Sequence, residues 1–314
     1  MPPEDSLVNA AVQVALPGTC GELVQGTLDG LPCLVSCPID CYSIAVVRLR
    51  ATAHWTVPLD TPKVRAALQA GLAYLGCTHR GGQVQFASAL PRSRGYGSST
   101  ADIGAALYAL GLATGRRLTP TEVAGLAVQV EPSDSSLFPG LALWDHLQGQ
   151  RYEDLGPPPA LTVVVLDPGG AVDTLAFNRL DHRAALRRLV PVHQEAFALL
   201  HEGLRQGQLE AIGAAATLSA TAHQAILPHP LLDLALTLAR EVKAVGVCRA
   251  HSGTVLGLLL DPGRTEASHV VACAARRLPT GVAVFSLPLV GGGPRLLNGQ
   301  TVPVPSLSLT WGQG

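Results

Sequence analysis

Between Leu90 and Thr100 the chain reads Leu-Pro-Arg-Ser-Arg-Gly-Tyr-Gly-Ser-Ser-Thr, and an apolar helical stretch follows at once. No other segment constrains the fold as strongly. A glycine-rich loop leading from a strand into a helix brings backbone N–H groups close to an anion, and the helix N-terminus adds positive potential there. The strand spans 83–87, where Val84 and Phe86 face the same way. The helix spans 100–114, with Ile103, Leu107 and Leu110 along one side. Ser98 and Ser99 offer hydroxyls to a phosphate or to Mg²⁺, and Arg92 and Arg94 are close enough in sequence to reach phosphate oxygens. The loop is not a Walker A loop, because no Lys-Ser/Thr follows its glycines. It is not a Rossmann turn either, since the glycine spacing is wrong and no βαβ unit opens the chain. On this stretch alone, a loop that merely caps its helix stays open as a reading.

The 314 residues are 47% hydrophobic and 14% charged, which suits a compact protein of one large domain or two ordinary ones. A formal net charge of −1 gives no electrostatic footprint for nucleic acid or an anionic membrane. The apolar runs at 161–166 and 254–260 are strand-length and end at Asp167 and Asp261; no span has the length of a transmembrane helix. The opening Met1-Pro2-Pro3-Glu4-Asp5 lacks the basic and apolar regions of a signal peptide, so the expected location is the cytoplasm. Lys63 and Lys243 are the only lysines among 22 cationic residues, and no function is read from that. Nothing in the pattern specifies an oligomer.

Helix and strand signals mix along the whole chain. A strand at 12–16 leads into an expected turn at Pro17-Gly18-Thr19-Cys20-Gly21, and an apolar stretch at 31–47 is broken at Pro38. Val64, Leu68, Leu72 and Leu75 predict a helix over 63–75. Thr119-Pro120-Thr121-Glu122 has capping-box spacing with proline at the first helical position, and that helix ends before Pro132. Gly156-Pro157-Pro158-Pro159 is the strongest linker signal and divides the chain into 1–156 and 157–314. Beyond it come a buried strand at 161–167, helices at 181–204, 208–226, 230–244 and 264–277, and strands at 245–250, 254–260 and 281–287. The tail from Gly291 is expected to be irregular. Of the seven cysteines (Cys20, Cys33, Cys37, Cys41, Cys77, Cys248, Cys273) none forms a CxxC pair. Cys33, Cys37 and Cys41 invite a metal reading, but the missing zinc-type spacing favours ordinary buried thiols. The odd count argues against a complete disulfide framework.

Pro91-x-x-x-Gly95-Tyr96-Gly97-Ser98-Ser99-Thr100 resembles the ATP loop of the GHMP kinase superfamily. Those enzymes carry three motifs in order. Pro17-Gly18-Thr19-Cys20-Gly21-Glu22 resembles the first, which helps form the substrate site. Ala250-His251-Ser252-Gly253-Thr254 resembles the third loosely, its glycines reduced to Gly253 and Gly257. Within the superfamily the first half is closest to the L-threonine kinases of cobalamin side-chain synthesis. Three stretches carry that match: Pro17-Gly18-Thr19-Cys20-Gly21-Glu22-Leu23-Val24-Gln25-Gly26; Val35-Ser36-Cys37-Pro38-Ile39-Asp40; and Glu131-Pro132-Ser133-Asp134-Ser135 with Phe138-Pro139-Gly140 and Asp145-His146. The resemblance implies an α+β, two-domain GHMP kinase fold. Its strand-rich N-terminal domain would bind ATP and contain a left-handed βαβ crossover, an exception to the usual handedness. A ferredoxin-like C-terminal domain would follow, with the site in the cleft between. ATP and Mg²⁺ are the implied cofactors. The implied acceptor is a small amino acid, L-threonine, with homoserine or another small alcohol as the alternative.

Phosphoryl transfer needs a phosphate cradle, Mg²⁺ and a group that orients or deprotonates the acceptor hydroxyl. The resemblance gives Pro91, Gly95, Tyr96, Gly97, Ser98, Ser99 and Thr100 to ATP, Ser99 and Glu131 to the metal, and Asp134 with Arg94 to catalysis. The carboxylates near the loop in sequence are Asp102, Glu122, Glu131 and Asp134. Glu122 is accounted for by the capping box, and Asp102 in the first helical turn suits the helix dipole. Glu131 and Asp134 stand where a helix breaks at Pro132, free to point into a cleft; a helix end with an Asx-type turn is the plain alternative. On the substrate side, Gly18, Thr19, Cys20 and Gly21 could offer N–H groups to a carboxylate. Glu22, Asp40 or Asp134 could take an ammonium, with Ser252 and Gly253 nearby; a turn residue is the plain reading of Asp40. A hydrolase lacks support, because Gly97-Ser98-Ser99-Thr100-Ala101 is not Gly-x-Ser-x-Gly. A binding protein that had lost catalysis would have lost Glu131 and the loop serines, and this chain keeps both.

Overall fold

The computed structural model describes residues 11–50, 53–59, 61–170 and 182–297. The acidic N-terminal residues, the first residue of the helix expected from 181 and the tail past 297 lie outside the described residues. Two long antiparallel strands, β1 (Val12–Leu28) and β2 (Leu31–Arg50), begin the fold. Asp29 and Gly30 join them, with φ of 51° and 83°. A two-residue turn of left-handed residues matches the twist of the strands it connects.

The expected turn at 17–21 and the break at Pro38 are both corrected by this hairpin, which runs through them. The turn residues are absorbed as bulges: the register of β1 against β2 shifts between Pro17 and Thr19, Thr19 and Glu22, and Glu22 and Val24. Pro38 lies opposite Thr19, where the ladder is already interrupted, so its missing N–H forfeits little there.

A short β3 (Trp55–Thr56) is followed by α1 (Pro62–Tyr74) and by β4 (Gly81–Ser88). β3 pairs parallel with β4, and β4 antiparallel with β2. The loop then enters α2 (Ser98–Ala113), in which 14 of 16 residues are buried. The expected apolar stripe is therefore the whole helix, as a helix enclosed on all sides requires. Its small residues allow close approach: a β-carbon on Gly104 would stand 2.7 Å from Leu16 of β1. α3 (Pro120–Val128) opens on the capping box, with Thr119 N–H donating to Glu122 Oε2 at 2.7 Å and Glu122 N–H to Thr119 Oγ1 at 3.3 Å. A 3₁₀ turn (Ser135–Leu137), β5 (Leu141–Asp145) and β6 (Tyr152–Gly156) complete the first half, β5 pairing with β2 and β6.

The remaining elements are β7 (Thr162–Asp167), α4 (Arg183–Gln206), α5 (Leu209–Ala222), α6 (Leu232–Glu241), β8 (Gly246–Arg249), β9 (Leu256–Leu260), α7 (Ala267–Arg277), β10 (Ala283–Pro288) and β11 (Arg295–Leu296). Strands β10-β7-β9-β8 form an antiparallel sheet. Alternate residues of a strand face opposite ways. Val163 and Val165 accordingly pack with Phe197 of α4 and Ile212 of α5, while Val164 and Leu166 pack with Leu238 of α6 and Val270 of α7. β11 pairs with β1, so part of the tail expected to be irregular is a strand. The sheet path continues from β8 into β1 and β2, joined where Glu22 opposes Arg249. Among the described residues no helix is long and apolar enough to cross a membrane.

Candidate active site

The loop before α2 is held by backbone geometry that only glycine adopts easily. Gly95 and Gly97 have φ of 97° and 61°. A β-carbon on Gly95 would stand 2.3 Å from Ala250 Cβ, and one on Gly97 2.5 Å from Asp134 Oδ2. Glycine is required at both for conformation and for space.

Two segments clamp the loop. Thr19 N–H donates to Tyr96 O at 2.9 Å and Gly21 N–H to Gly95 O at 3.1 Å, while Thr254 and Val255 N–H both donate to Arg94 O at 2.9 Å. The bulges of β1 thus free N–H groups from the ladder, and the loop takes them. The turn at 250–254 presses from the other side: a β-carbon on Gly253 would stand 2.4 Å from the Arg94 carbonyl. The three segments singled out in the sequence meet at this loop. Tyr96 anchors it, being 2% exposed, with Oη donating to Asp167 Oδ2 at 3.0 Å. Arg94 Nη1 donates to the same oxygen at 3.2 Å.

Carboxylates gather where the loop becomes helix. Ser99 Oγ donates to Glu131 Oε1, and Lys63 Nζ, from the first turn of α1, donates to Oε2. Asp134 N–H donates to Thr100 Oγ1 at 3.1 Å, and Ser133 Oγ to Glu131 O at 3.0 Å. These bonds fix the 131–134 segment against α2. Burial, and then the Glu131 charge, push the Asp134 carboxyl up to about 6, against the pull of Thr100. Glu22 is 4% exposed, and its Oε2 has no hydrogen-bond partner among the described residues. Burial first and Asp134 second hold it well above the usual carboxylate range, with Ser36 acting the other way.

The chemistry follows from these positions. Hydroxyl and carboxylate oxygens at a helix N-terminus suit a hard divalent cation. A carboxyl titrating near 6 is an acceptor for a proton at neutral pH. Among the described residues Glu22 has no ion-pair partner, and a buried carboxyl in that state, with Asp134 near it, suits a positively charged group of a ligand.

Other residues proposed from sequence stand elsewhere. Asp102 accepts from Ser43 Oγ at 2.5 Å and lies 3.7 Å from Arg92, so its charge is balanced without a metal. Asp40 engages Tyr42, whose phenol is pushed up to about 12 by burial and then by Asp40; none of its described contacts reaches Glu22, Asp134 or the loop. Two N–H groups of the 18–21 segment, those of Thr19 and Gly21, are spent on the loop and are not available to a substrate carboxylate. Cys20 packs inward with Cys37 and Cys248, Cys248 Sγ donating to Cys20 O at 3.3 Å. Cys33 and Cys41 are buried too. Ser99 answers to Glu131, and among the described residues no imidazole bonds either loop serine.

Lys63, against Glu131, and Asp167, against Arg94 and Tyr96, are partners of the candidate site that sequence reasoning missed. Both act through contacts far along the chain. The one signal for Lys63 was the scarcity of lysine.

Comparison with known proteins covers these elements. Residues 62–138, from α1 through the 3₁₀ turn, match the family model of the GHMP kinases N terminal domain. An L-threonine kinase of Salmonella typhimurium is 37% identical over 254 residues, covering 80% of this chain and 83% of that protein. An L-threonine kinase of Citrobacter freundii is 34% identical over 254 residues, covering 81% and 88%. Among solved structures, a homoserine kinase from Cytophaga hutchinsonii superposes with a TM-score of 0.70 at 18% identity, covering 91% of this chain and 97% of that one. That last likeness is one of fold.

Proposed function

The chain belongs to the GHMP kinases, in one family with these two L-threonine kinases, and we propose that it transfers the γ-phosphoryl group of ATP to the hydroxyl of L-threonine. The products are O-phospho-L-threonine and ADP. The observation that carries the reading is the meeting of Ser99 and Glu131 at the start of α2, with Asp134 against Gly97. The identity to the two L-threonine kinases supports the acceptor.

Bound ATP and Mg²⁺ supply a charge-compensated phosphoryl group. Ser99 Oγ and the Glu131 carboxylate would hold the metal, and Pro91, Gly95, Tyr96, Gly97, Ser98 and Thr100 would form the ATP cradle. Lys63 adds a cation beside Glu131. The Tyr96–Asp167–Arg94 contacts keep the loop in shape, which makes Arg94 a positioning residue. Asp134 orients the acceptor hydroxyl and takes its proton as the new O–P bond forms. Glu22 receives the ammonium. Positioning and electrostatic stabilisation then account for most of the rate. Residues 1–156 form the ATP-binding part in this reading and 157–314 the second part. ATP as the donor supports a cytoplasmic setting, and the product fits the aminopropanol side chain of cobalamin.

An ADP-release assay across L-threonine, L-serine, L-homoserine, 1-amino-2-propanol and mevalonate tests the assignment. L-threonine should give the highest kcat/KM. A preference for L-homoserine would move the chain to the alternative acceptor, and turnover of none, with ATP still bound, would sink the acceptor assignment.

A further inference from the structure

The acidic side of the site faces a need that its described residues leave unmet: an α-amino acid brings a carboxylate as well as an ammonium. The N–H groups of Thr19 and Gly21 are committed to the loop. A different group of residues stands close by. The ring of His251 lies 5.0 Å from that of His146 and 5.3 Å from that of His223. His251 belongs to the turn that presses on the phosphate loop. The carbonyl of His146 accepts the N–H of Ser133 at 3.1 Å, the residue before Asp134. His223 opens the 3₁₀ turn (His223–Ala225) after α5. The cluster is thus built onto both flanks of the site.

Each ring directs one nitrogen at a carbonyl oxygen: His146 Nδ1 at Pro32 O (3.0 Å), His223 Nε2 at His251 O (2.8 Å) and His251 Nδ1 at Gln25 Oε1 (2.5 Å). A carbonyl only accepts, so these nitrogens carry the hydrogens, and a further proton enters at the opposite nitrogen of each ring. The groups packed around are mostly basic. Arg249 of β8 is 1% exposed, donates to Gln224 Oε1 at 2.9 Å and Leu227 O at 2.8 Å, and has an Nε without a partner among the described residues. His182 precedes α4, His193 of α4 accepts from Thr27 N–H at 3.0 Å, and His229 faces Thr254 O at 2.9 Å. Asp145, behind His146, already accepts from the N–H groups of Leu147, Gln148 and Gln150. Burial first holds the rings neutral, His146 at about 4 and His223 at about 3, with Arg249 adding to the effect on His223.

We propose that His251, positioned by His146 and His223, recognises the carboxylate of the acceptor amino acid. The proposal rests on the L-threonine reading and deepens it. Glu22 takes the ammonium, Asp134 keeps the hydroxyl, and the imidazoles take the carboxylate. An anion beside the rings favours the imidazolium form, so carboxylate binding takes up a proton. The arrangement selects an amino acid over the corresponding amino alcohol.

Steady-state kinetics of the full chain at saturating ATP test this, with L-threonine against (R)-1-amino-2-propanol, which keeps the ammonium and hydroxyl and lacks the carboxylate. In the wild type, the ratio of 1/KM for L-threonine to 1/KM for the amino alcohol should fall as pH rises from about 4 to about 6.5. The lower value is where His146 titrates in the free site, and the upper is the ordinary imidazole value toward which the bound carboxylate restores the rings. In His251→Asn the ratio of the two KM values should rise about tenfold, with kcat on L-threonine moving less than KM. His223→Gln should flatten the L-threonine pH profile. An unchanged ratio, an equal rise on both acceptors, or parallel wild-type profiles overturns the proposal. The wild-type comparison decides even where a variant fails to fold. If the wild type turns over the amino alcohol but not L-threonine, the carboxylate site is refuted. If it turns over neither, the L-threonine reading itself fails and this inference with it.

Discussion

Gly97 and Asp134 share one small volume: a β-carbon on the glycine would stand 2.5 Å from the aspartate's Oδ2. The contact ties the start of α2 to the carboxyl proposed to receive the acceptor's proton. Gly97→Ala disturbs both at once. Its φ of 61° costs an L-residue about 1–2 kcal/mol, and the new methyl must push Asp134 aside. Turnover should fall by about tenfold or more, since a misplaced catalytic group weakens positioning. ADP release and thermal melting measured on one preparation separate the two effects. A stable variant with wild-type turnover would show that the contact has no functional weight.

Ser99 and Glu131 carry the metal assignment. Ser99→Ala and Glu131→Ala should each lower kcat by about a hundredfold or more, the scale expected for lost transition-state contacts. Glu131→Gln should also raise the Mg²⁺ concentration needed for half-maximal rate, because a carboxylate ligand becomes a neutral amide. Lys63→Met should act mainly on the KM for ATP. Full turnover in both alanine variants contradicts the site.

As the proposed base, Asp134 should set an acidic limit on the reaction. Its carboxyl titrates at about 6, and only the ionised form accepts a proton. Below that pH, kcat/KM should therefore fall with pH, and Asp134→Asn should be slow and lack this limb. (R)-1-amino-2-propanol is the acceptor for this profile, since it has no carboxylate to involve the histidines. An unaltered limb in Asp134→Asn would assign it to another group, Glu22 first.

Much of the fold was legible because its signals are local. The alternation at Val84 and Phe86, the box from Thr119 to Glu122 and the buried run ending at Asp167 each declare themselves within a few residues. The Pro17 to Gly21 segment did not, because proline and glycine serve a turn and a bulged strand alike. Only the pairing of β1 with β2 decides between them. The loop, Glu131 and Asp134 were legible as a candidate site through resemblance and through the break at Pro132. Lys63 meets Glu131 across 68 residues and Arg94 meets Asp167 across 73, and no local period encodes such distances. The histidine cluster is of the same kind: its three rings come from the segment after β5, the turn after α5 and the turn after β8.

The cluster also predicts how stability depends on pH. His223 is 3% exposed and titrates at about 3 in the fold, against about 6.5 in an unfolded chain. Between those values the unfolded chain binds the extra proton, so the contribution of His223 is full above pH 6.5 and is lost as pH falls below it. Asp134 acts in the opposite direction: its raised value means that the fold binds the proton, and stability falls as pH rises from about 4 to about 6. The two partly cancel in the wild type, so the informative quantity is the difference between wild type and His223→Gln. Glutamine keeps a donor for His251 O and cannot titrate. Going from pH 7 to pH 5, the wild type should lose about 2 kcal/mol more than the variant, from roughly 1.5 units of pH below the unfolded value. Urea unfolding at the two pH values measures it, and parallel losses would mean that His223 is not held neutral by its burial.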